Sequence, residues 1–115
     1  MISSADAEGI IHKLVTEGIP VFACFTAADG SRFTLNGLVE RLTGDGLIIK
    51  GADDPKHPDR FSLMQLPVDK TCEFEFADKR QIPEIGRDRL AAKFGEAVLL
   101  IRFPSRSRLM IFFND

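Results

Sequence analysis

The chain has 115 residues, 44% of them hydrophobic and 28% charged, and its net charge at pH 7 is −2. This length suits one domain with one core, and the composition is that of a globular protein rather than a disordered one. No apolar run approaches the roughly 20 residues of a membrane-spanning helix, and the N-terminus lacks the basic and apolar segments of a secretory signal. We therefore expect a single cytoplasmic domain over residues 1–115.

The first predicted element is an N-terminal helix. Ser3 is placed to cap its first turn, with Asp6 three residues later in a capping-box-like pattern. Gly18 and Pro20 predict where the helix ends. Five apolar residues recur at three- and four-residue spacings and so share one helical stripe: Ala7, Ile10, Ile11, Leu14 and Val15.

Residues 21–50 predict a three-stranded antiparallel meander. Asp29-Gly30 and Asp45-Gly46 separate three apolar, β-prone runs there, and Asp-Gly supplies the positive φ angles of tight hairpin turns. The glycines around Asp45 lie between two strands and lead into no helix, so they indicate a turn rather than a phosphate-binding loop.

The rest of the chain predicts short strands separated by loops. Cys72, Phe74 and Phe76 alternate with Glu73 and Glu75, a pattern typical of a strand with one buried and one solvated face. The predicted elements are, in order, a loop over 51–60, strands over 61–66 and 71–78, a loop over 81–86, a short helix over 87–94 and strands over 97–103 and 108–113. Together they predict a mainly β fold, a small antiparallel split-barrel-like β-barrel of six to seven strands.

The last strand is apolar on both faces. Leu109, Ile111 and Phe113 line one side, and Met110 and Phe112 line the other. A strand buried on both sides is covered by a helix or lies in a subunit interface. Met110 and Phe112 are therefore candidate interface residues, and monomer and dimer both stay open.

Residues that could support catalysis, metal binding or redox chemistry are few. His12 and His57 belong to no nucleophile and base signature, so we predict that the chain is not an enzyme. Cys24 and Cys72 lie in apolar runs and are interpreted as buried, unpaired thiols. The acidic loop around His57 lacks the ligand spacing of a hard-cation site, so we predict no metal there; its carboxylates are Asp53, Asp54 and Asp59.

Basic residues concentrate in the last third of the chain. Residues 1–50 carry a net charge of −2, residues 51–78 carry −4, and residues 79–115 carry +4. Arg102, Arg106 and Arg108 flank the last turn, and guanidinium groups bind phosphates and carboxylates in a bidentate manner. The candidate ligand-binding residues are Arg80, Arg102, Arg106 and Arg108, with Arg87 and Arg89 nearby in the sequence. The alternative is that these charges keep a very apolar hairpin soluble.

The order of these elements resembles a known family. The relevant phrases are IIHKLVTEG, a G-S-R-F turn, LIIKG before an Asp- and Pro-rich loop, CEFEF, and LLIRFPSRSRL. They are similar to the N-terminal barrel that precedes PilZ domains in bacterial flagellar-brake proteins. The resemblance implies a split barrel related to flavin-binding barrels, set beside a domain that binds cyclic di-GMP and slows the flagellar motor.

The resemblance stops short of the family's ligand motif. Arg102 and Arg106 match its R-x-x-x-R half, but no D/N-x-S-x-x-G follows in the last nine residues. Cyclic di-GMP binding by that motif is therefore not implied. Residues 8–51 also resemble the opening half of Sm-like RNA-binding barrels, in which a central glycine, here Gly37, lets a strand bend.

We therefore predict a non-catalytic bacterial module that acts through protein contacts or self-association, in a cyclic di-GMP or motility-related signalling setting. Two alternatives stay open. One is a nucleotide- or RNA-binding barrel that uses the arginines of the closing hairpin. The other is a flavin-binding split barrel. No residue requires a cofactor, and neither a DNA partner nor a membrane partner is expected.

Overall fold

The computed structural model describes residues 2–43, 46–51, 62–78 and 97–114. Within these ranges the chain forms one helix and seven antiparallel strands, which confirms the predicted mainly β fold class. In chain order they are α1 (Ser4–Thr16), β1 (Pro20–Thr26), β2 (Arg32–Thr43), β3 (Gly46–Gly51), β4 (Leu63–Leu66), β5 (Glu73–Asp78), β6 (Ala97–Arg102) and β7 (Arg108–Phe113).

The seven strands form one strongly curled sheet. Their order is β4-β3-β2-β1-β7-β6-β5, and no ladder joins β4 to β5 in the described part of the chain, so the barrel-like sheet is not closed. β2 and β5 are four strand spacings apart, about 19 Å in a flat sheet. Since a helix is only about 10 Å wide and α1 packs against both strands, the sheet must curve around the helix.

The curvature begins in β2, which pairs first with β1 and then with β3. Gly37 pairs with Gly51, and a Cβ at Gly37 would lie 1.9 Å from the backbone oxygen of Lys50, so no side chain fits between the strands. The register then shifts between Val39 and Arg41, which marks a β-bulge. A glycine followed by a bulge lets a long strand turn the corner of a barrel.

The helix has the predicted ends. The Asp6 backbone N–H donates to the Ser3 hydroxyl oxygen at 3.1 Å, as expected of an N-cap. At the other end Gly18 has a φ of +60° and donates to the Val15 carbonyl, while Ile19 donates to the Leu14 carbonyl. These two hydrogen bonds form a Schellman motif, which ends the helix before β1.

Both predicted hairpins of the meander are present. In the first, Gly30 has a φ of +92°, while Asp29 stays in an ordinary conformation and accepts the Ser31 N–H with its carboxylate at 2.8 Å. Only the glycine of this Asp-Gly pair therefore adopts a positive φ. In the second, Gly46 has a φ of +123° and begins β3, and two residues separate it from the end of β2.

The sheet is buried on two faces. The inner face, toward α1, carries the main core, which includes Ile11 and Leu14 of the helix. The outer face is defined by six buried side chains: Phe22, Cys24, Val98, Leu100, Met110 and Phe112. Met110 and Phe112 are 5% and 1% exposed in the single chain, so they present no surface to a second copy in this conformation. Dimerisation through them stays a prediction.

Several predicted boundaries differ from the structure. Ser62 lies outside β4, which begins at Leu63, and residue 61 is outside the described residues. β5 begins at Glu73 because Cys72 still belongs to the preceding turn. Phe76 packs on Phe113 with ring centroids 6.2 Å apart, yet it is 40% exposed because β5 is an edge strand of the described sheet. The predicted loop over 81–86 and helix over 87–94 lie outside the described residues, as do residues 52–60 of the predicted loop over 51–60.

Candidate binding site

The closing hairpin brings three predicted arginines together at one end of the sheet. Arg102 ends β6 and Arg108 begins β7, and the two are register partners. Arg106 lies in the turn between them. All three line one open cleft of about 400 Å³, together with Thr71 and other residues of the turn. We call this the arginine cleft.

The sheet register adds a fourth arginine to this end. Arg32 pairs with Thr26, and Thr26 pairs in turn with Arg108. Directly opposed residues of antiparallel strands point to the same face, so Arg32, Arg108 and Arg102 belong to one row across the outer face. The Arg32 guanidinium donates to the Cys24 sulfur at 3.4 Å, which places it on that face. The residues next to Arg32 in the sequence do not predict that it lies in one row with Arg102 and Arg108.

Two glutamates of the edge strand face the arginines. Glu73 is the register partner of Arg102, and the Glu75 carboxylate accepts a hydrogen bond from the Arg102 guanidinium at 2.9 Å. The Arg102 and Glu75 side chains are 47% and 37% exposed, and such exposed ion pairs contribute about 0–1 kcal/mol. A competing anion can therefore replace Glu75 at little energetic penalty.

Arg106 adopts an unusual backbone conformation at the tip of the hairpin. Its φ is +70°, the only positive φ of a non-glycine residue in the described ranges. The turn is closed by two hydrogen bonds, from the Phe103 N–H to the Ser107 carbonyl at 2.9 Å and from the Arg106 N–H to the Phe103 carbonyl at 3.1 Å. Burial of Ser107 and Phe103 at the base of the turn holds this conformation in place.

Among the described residues, one further candidate from the sequence lies away from the arginine cleft. His12 is exposed on α1. In the described part of the chain no cluster of three or more metal-ligating side chains occurs. The remaining predicted positions lie outside the described residues: Asp53, Asp54, His57, Asp59, Arg80, Arg87 and Arg89.

Both cysteines are buried and unpaired, as predicted. Burial raises the pKa of the Cys72 thiol and outweighs a hydrogen bond from the Asp69 backbone, which lowers it; the negative charge of Asp69 also raises this pKa. Because the thiolate is the nucleophilic form of cysteine, Cys72 stays in its unreactive protonated form at neutral pH.

No protein-family model matches the chain, and comparisons with curated proteins and with solved structures find no significant match. Among the helices of the described residues, none has the length and apolar character needed to cross a bilayer.

Proposed function

We propose that this chain is a non-catalytic binding module whose arginine cleft receives acidic side chains of a partner protein. The observation that carries the proposal is the convergence of Arg102, Arg106 and Arg108 on one open cleft, with Arg106 held at the tip of a turn. Arginine forks match carboxylates in geometry and charge.

A carboxylate already bound to one arginine of the cleft supports a carboxylate ligand. Arg102 binds the Glu75 carboxylate at 2.9 Å, in a pair exposed enough to be exchanged for a carboxylate of another protein. This internal contact shows the kind of group that the Arg102 guanidinium can reach. A partner with clustered Asp or Glu residues would extend it to the neighbouring arginines.

An exposed aromatic residue lies at the same end of the sheet. Phe33 is 58% exposed and directly follows Arg32 at the start of β2. Its ring packs on Phe25, which in turn packs edge-on against Phe103 of the closing turn. Phe33 and Arg32 are consecutive in β2 and point to opposite faces, with Phe33 on the face of the main core. Because arginine and aromatic residues dominate the binding energy of protein interfaces, a partner protein that wraps around this end of the sheet would contact both.

A nucleotide is the second candidate, favoured by the size of the cleft. Its volume of about 400 Å³ falls within the range of small-molecule sites, about 300–1,000 Å³. The same arginines could bind phosphates. The signalling and motility setting, by contrast, rests on the family resemblance alone.

Calorimetric titration of the whole chain with four probes tests these candidates. The probes are a ten-residue oligoglutamate peptide, cyclic di-GMP, flavin mononucleotide and a short oligo-uridine. We expect the peptide to bind and the double variant Arg102→Ala, Arg106→Ala to bind it at least about tenfold more weakly. The matched control is Lys50→Ala, which removes an exposed basic residue outside the arginine cleft and should leave the affinity unchanged.

The outcomes separate the candidates. Binding of a nucleotide or flavin but not of the peptide, lost in the double variant, would replace the protein partner with a small-molecule ligand. If none of the four probes bound, the proposal of anion binding at the arginine cleft would be wrong. Equal weakening by the Lys50 control would show nonspecific attraction to positive charge and would also overturn it.

A further inference from the structure

A second and larger cleft lies on the opposite side of the fold from the outer face. It has a volume of about 790 Å³ and runs between α1, the end of β2 and the turn before β5. Its floor includes Ile11 and Phe74, which are 0% and 4% exposed. Half-buried Val15 and Leu42 extend the apolar surface. We call this the helix cleft, and its volume falls within the range of small-molecule sites.

Two cationic side chains line the helix cleft. Arg41 directly follows the β-bulge of β2, a feature that often redirects a side chain toward a site. Lys70 lies in the turn before β5. Both are exposed, and no hydrogen bond or ion pair joins either side chain to another described residue.

The acidic side chains of the helix cleft are arranged differently. The Asp69 carboxylate is engaged within its own turn, where it accepts hydrogen bonds from the Thr71 backbone N–H, at 2.8 Å, and from the Thr71 hydroxyl. Glu8 is exposed on α1, one turn before His12. Both carboxylates oppose an anion in this cleft, and Glu8 is the one that can be neutralised without disturbing the turn before β5.

Gly9 keeps the helix cleft open. It lies inside α1, where glycine is the least favourable residue after proline. A Cβ at Gly9 would meet no atom within 4 Å, so close packing does not require a glycine at this position. Because Gly9 lines the cleft, any larger side chain there would occupy the space that a ligand would use.

We infer that the helix cleft is a second binding site, for a small molecule with an apolar body and one anionic group. The apolar body would lie on the half-buried side chains of Val15, Leu42 and Val68, and the anionic group would reach Arg41 and Lys70. This site is distinct from the arginine cleft and does not depend on the function proposed for it. The helix cleft would bind a small molecule, whereas the arginine cleft is proposed to bind a partner protein.

Fluorescence titration with 8-anilinonaphthalene-1-sulfonate, an apolar ring system with one sulfonate, tests this inference. We expect one saturable site, displaced by decanoate at lower concentration than by decanol, because decanol has the same apolar chain length without the charge. Gly9→Leu should abolish binding by filling the cleft. This variant should fold well, because leucine is a stronger helix former than glycine and meets no obstruction.

Three charge variants complete the test. The double variant Arg41→Gln, Lys70→Gln should weaken binding about tenfold, and Glu8→Gln should tighten it a few-fold, because these changes remove attractive and repulsive charges respectively. Lys50→Gln, on β3 and outside the cleft, is the matched control and should bind like the unaltered chain. Binding that persists in Gly9→Leu would overturn the site, and equal displacement by decanol and decanoate would overturn its anionic ligand.

Discussion

The turn between β1 and β2 and the turn between β6 and β7 have the same pattern of backbone hydrogen bonds. They differ in the residue that adopts a positive φ. In the first turn, residues 27–31, Ala27 donates to the Ser31 carbonyl and Gly30 donates to the Ala27 carbonyl. In the last turn, residues 103–107, the corresponding donors are Phe103 and Arg106. The fourth residue has a positive φ in both, +92° at Gly30 and +70° at Arg106.

Under the proposed function, this difference separates a turn that follows local backbone preference from a turn that carries a binding side chain. Left-handed backbone is less favourable by about 1–2 kcal/mol for a residue with a Cβ, whereas glycine adopts it freely. Strained conformations of this kind concentrate at functional sites. The first turn follows the local preference with Gly30, and the last turn departs from it in order to place Arg106 beside two further arginines.

The third residue of each turn differs as well. In the first turn the Asp29 carboxylate accepts the Ser31 backbone N–H at 2.8 Å. In the last turn the Ser105 and Ser107 hydroxyl oxygens are hydrogen-bonded to each other at 2.6 Å. The last turn therefore contains no carboxylate, and it adds no negative charge to the arginine cleft.

The largest expected effect on stability comes from replacing Gly30 of the first turn with arginine, the residue at the same position of the last turn. Gly30→Arg should lower the free energy of unfolding by about 1 kcal/mol, because left-handed strain of about 1–2 kcal/mol outweighs the roughly 0.5–1 kcal/mol gained by restricting the unfolded chain. The φ of +92° is further from the left-handed minimum of about +57° than the +70° of Arg106, and no atom blocks a Cβ at this position. Urea denaturation measures the loss of stability. An unchanged midpoint would mean that the turn tolerates any residue and that Arg106 carries no strain.

The reverse exchange should stabilise the protein. Arg106→Gly removes the strain of a left-handed backbone, which stabilises the folded state by about 1–2 kcal/mol. Glycine also raises the conformational entropy of the unfolded chain, which opposes folding by about 0.5–1 kcal/mol. We expect a net gain of about 0.5–1 kcal/mol in the free energy of unfolding, measured by urea denaturation. A clear loss of stability would show that the Arg106 side chain holds the turn together.

The smallest effect is a dependence on pH in the first turn. The hydrogen bond from the Ser31 backbone N–H lowers the pKa of Asp29 below its usual value, and Asp69 is shifted in the same direction by its side-chain hydrogen bond to Thr71. A lowered folded-state pKa stabilises the protein above the unfolded-state value, near 3.8, and this stabilisation is lost as the pH falls through the folded-state pKa.

Asp29→Asn should therefore reduce the loss of stability below about pH 4, since asparagine accepts the same hydrogen bond without titrating. Urea denaturation at a series of pH values between about 2.5 and 6 checks this, with Asp69→Asn as the matched comparison. If the free energy of unfolding fell more steeply with decreasing pH in Asp29→Asn than in the unaltered chain, the result would contradict this account.

Local signals predicted most of the fold. The helix stripe, its Ser3 cap, its Gly18 end and the Asp-Gly turns each depend on a few neighbouring residues, and each lies where the sequence indicated. Strand ends were less accurate. The start of β5 depends on a turn centred on Asp69, whose hydrogen bonds to Thr71 lie outside the alternating pattern of the strand.

Features that depend on long-range pairing could not be predicted. Arg32 reaches the arginine row only through the register of β2 on β1 and of β1 on β7, which connects residues more than 70 positions apart. The helix cleft depends on a bulge between Val39 and Arg41 and on the packing of α1, and neither has a signature in the sequence. The Phe76 exposure likewise follows from its position on an edge strand.

The central claim is that Arg106 occupies a strained position because binding requires it there. The most direct measurement is the affinity of Arg106→Gly for the oligoglutamate peptide, determined on the same preparation as its free energy of unfolding. We predict that the variant is at least as stable as the unaltered chain and that it binds the peptide about tenfold more weakly. Equal affinity in a stabilised variant would contradict the claim, because the strain would then have no connection with binding.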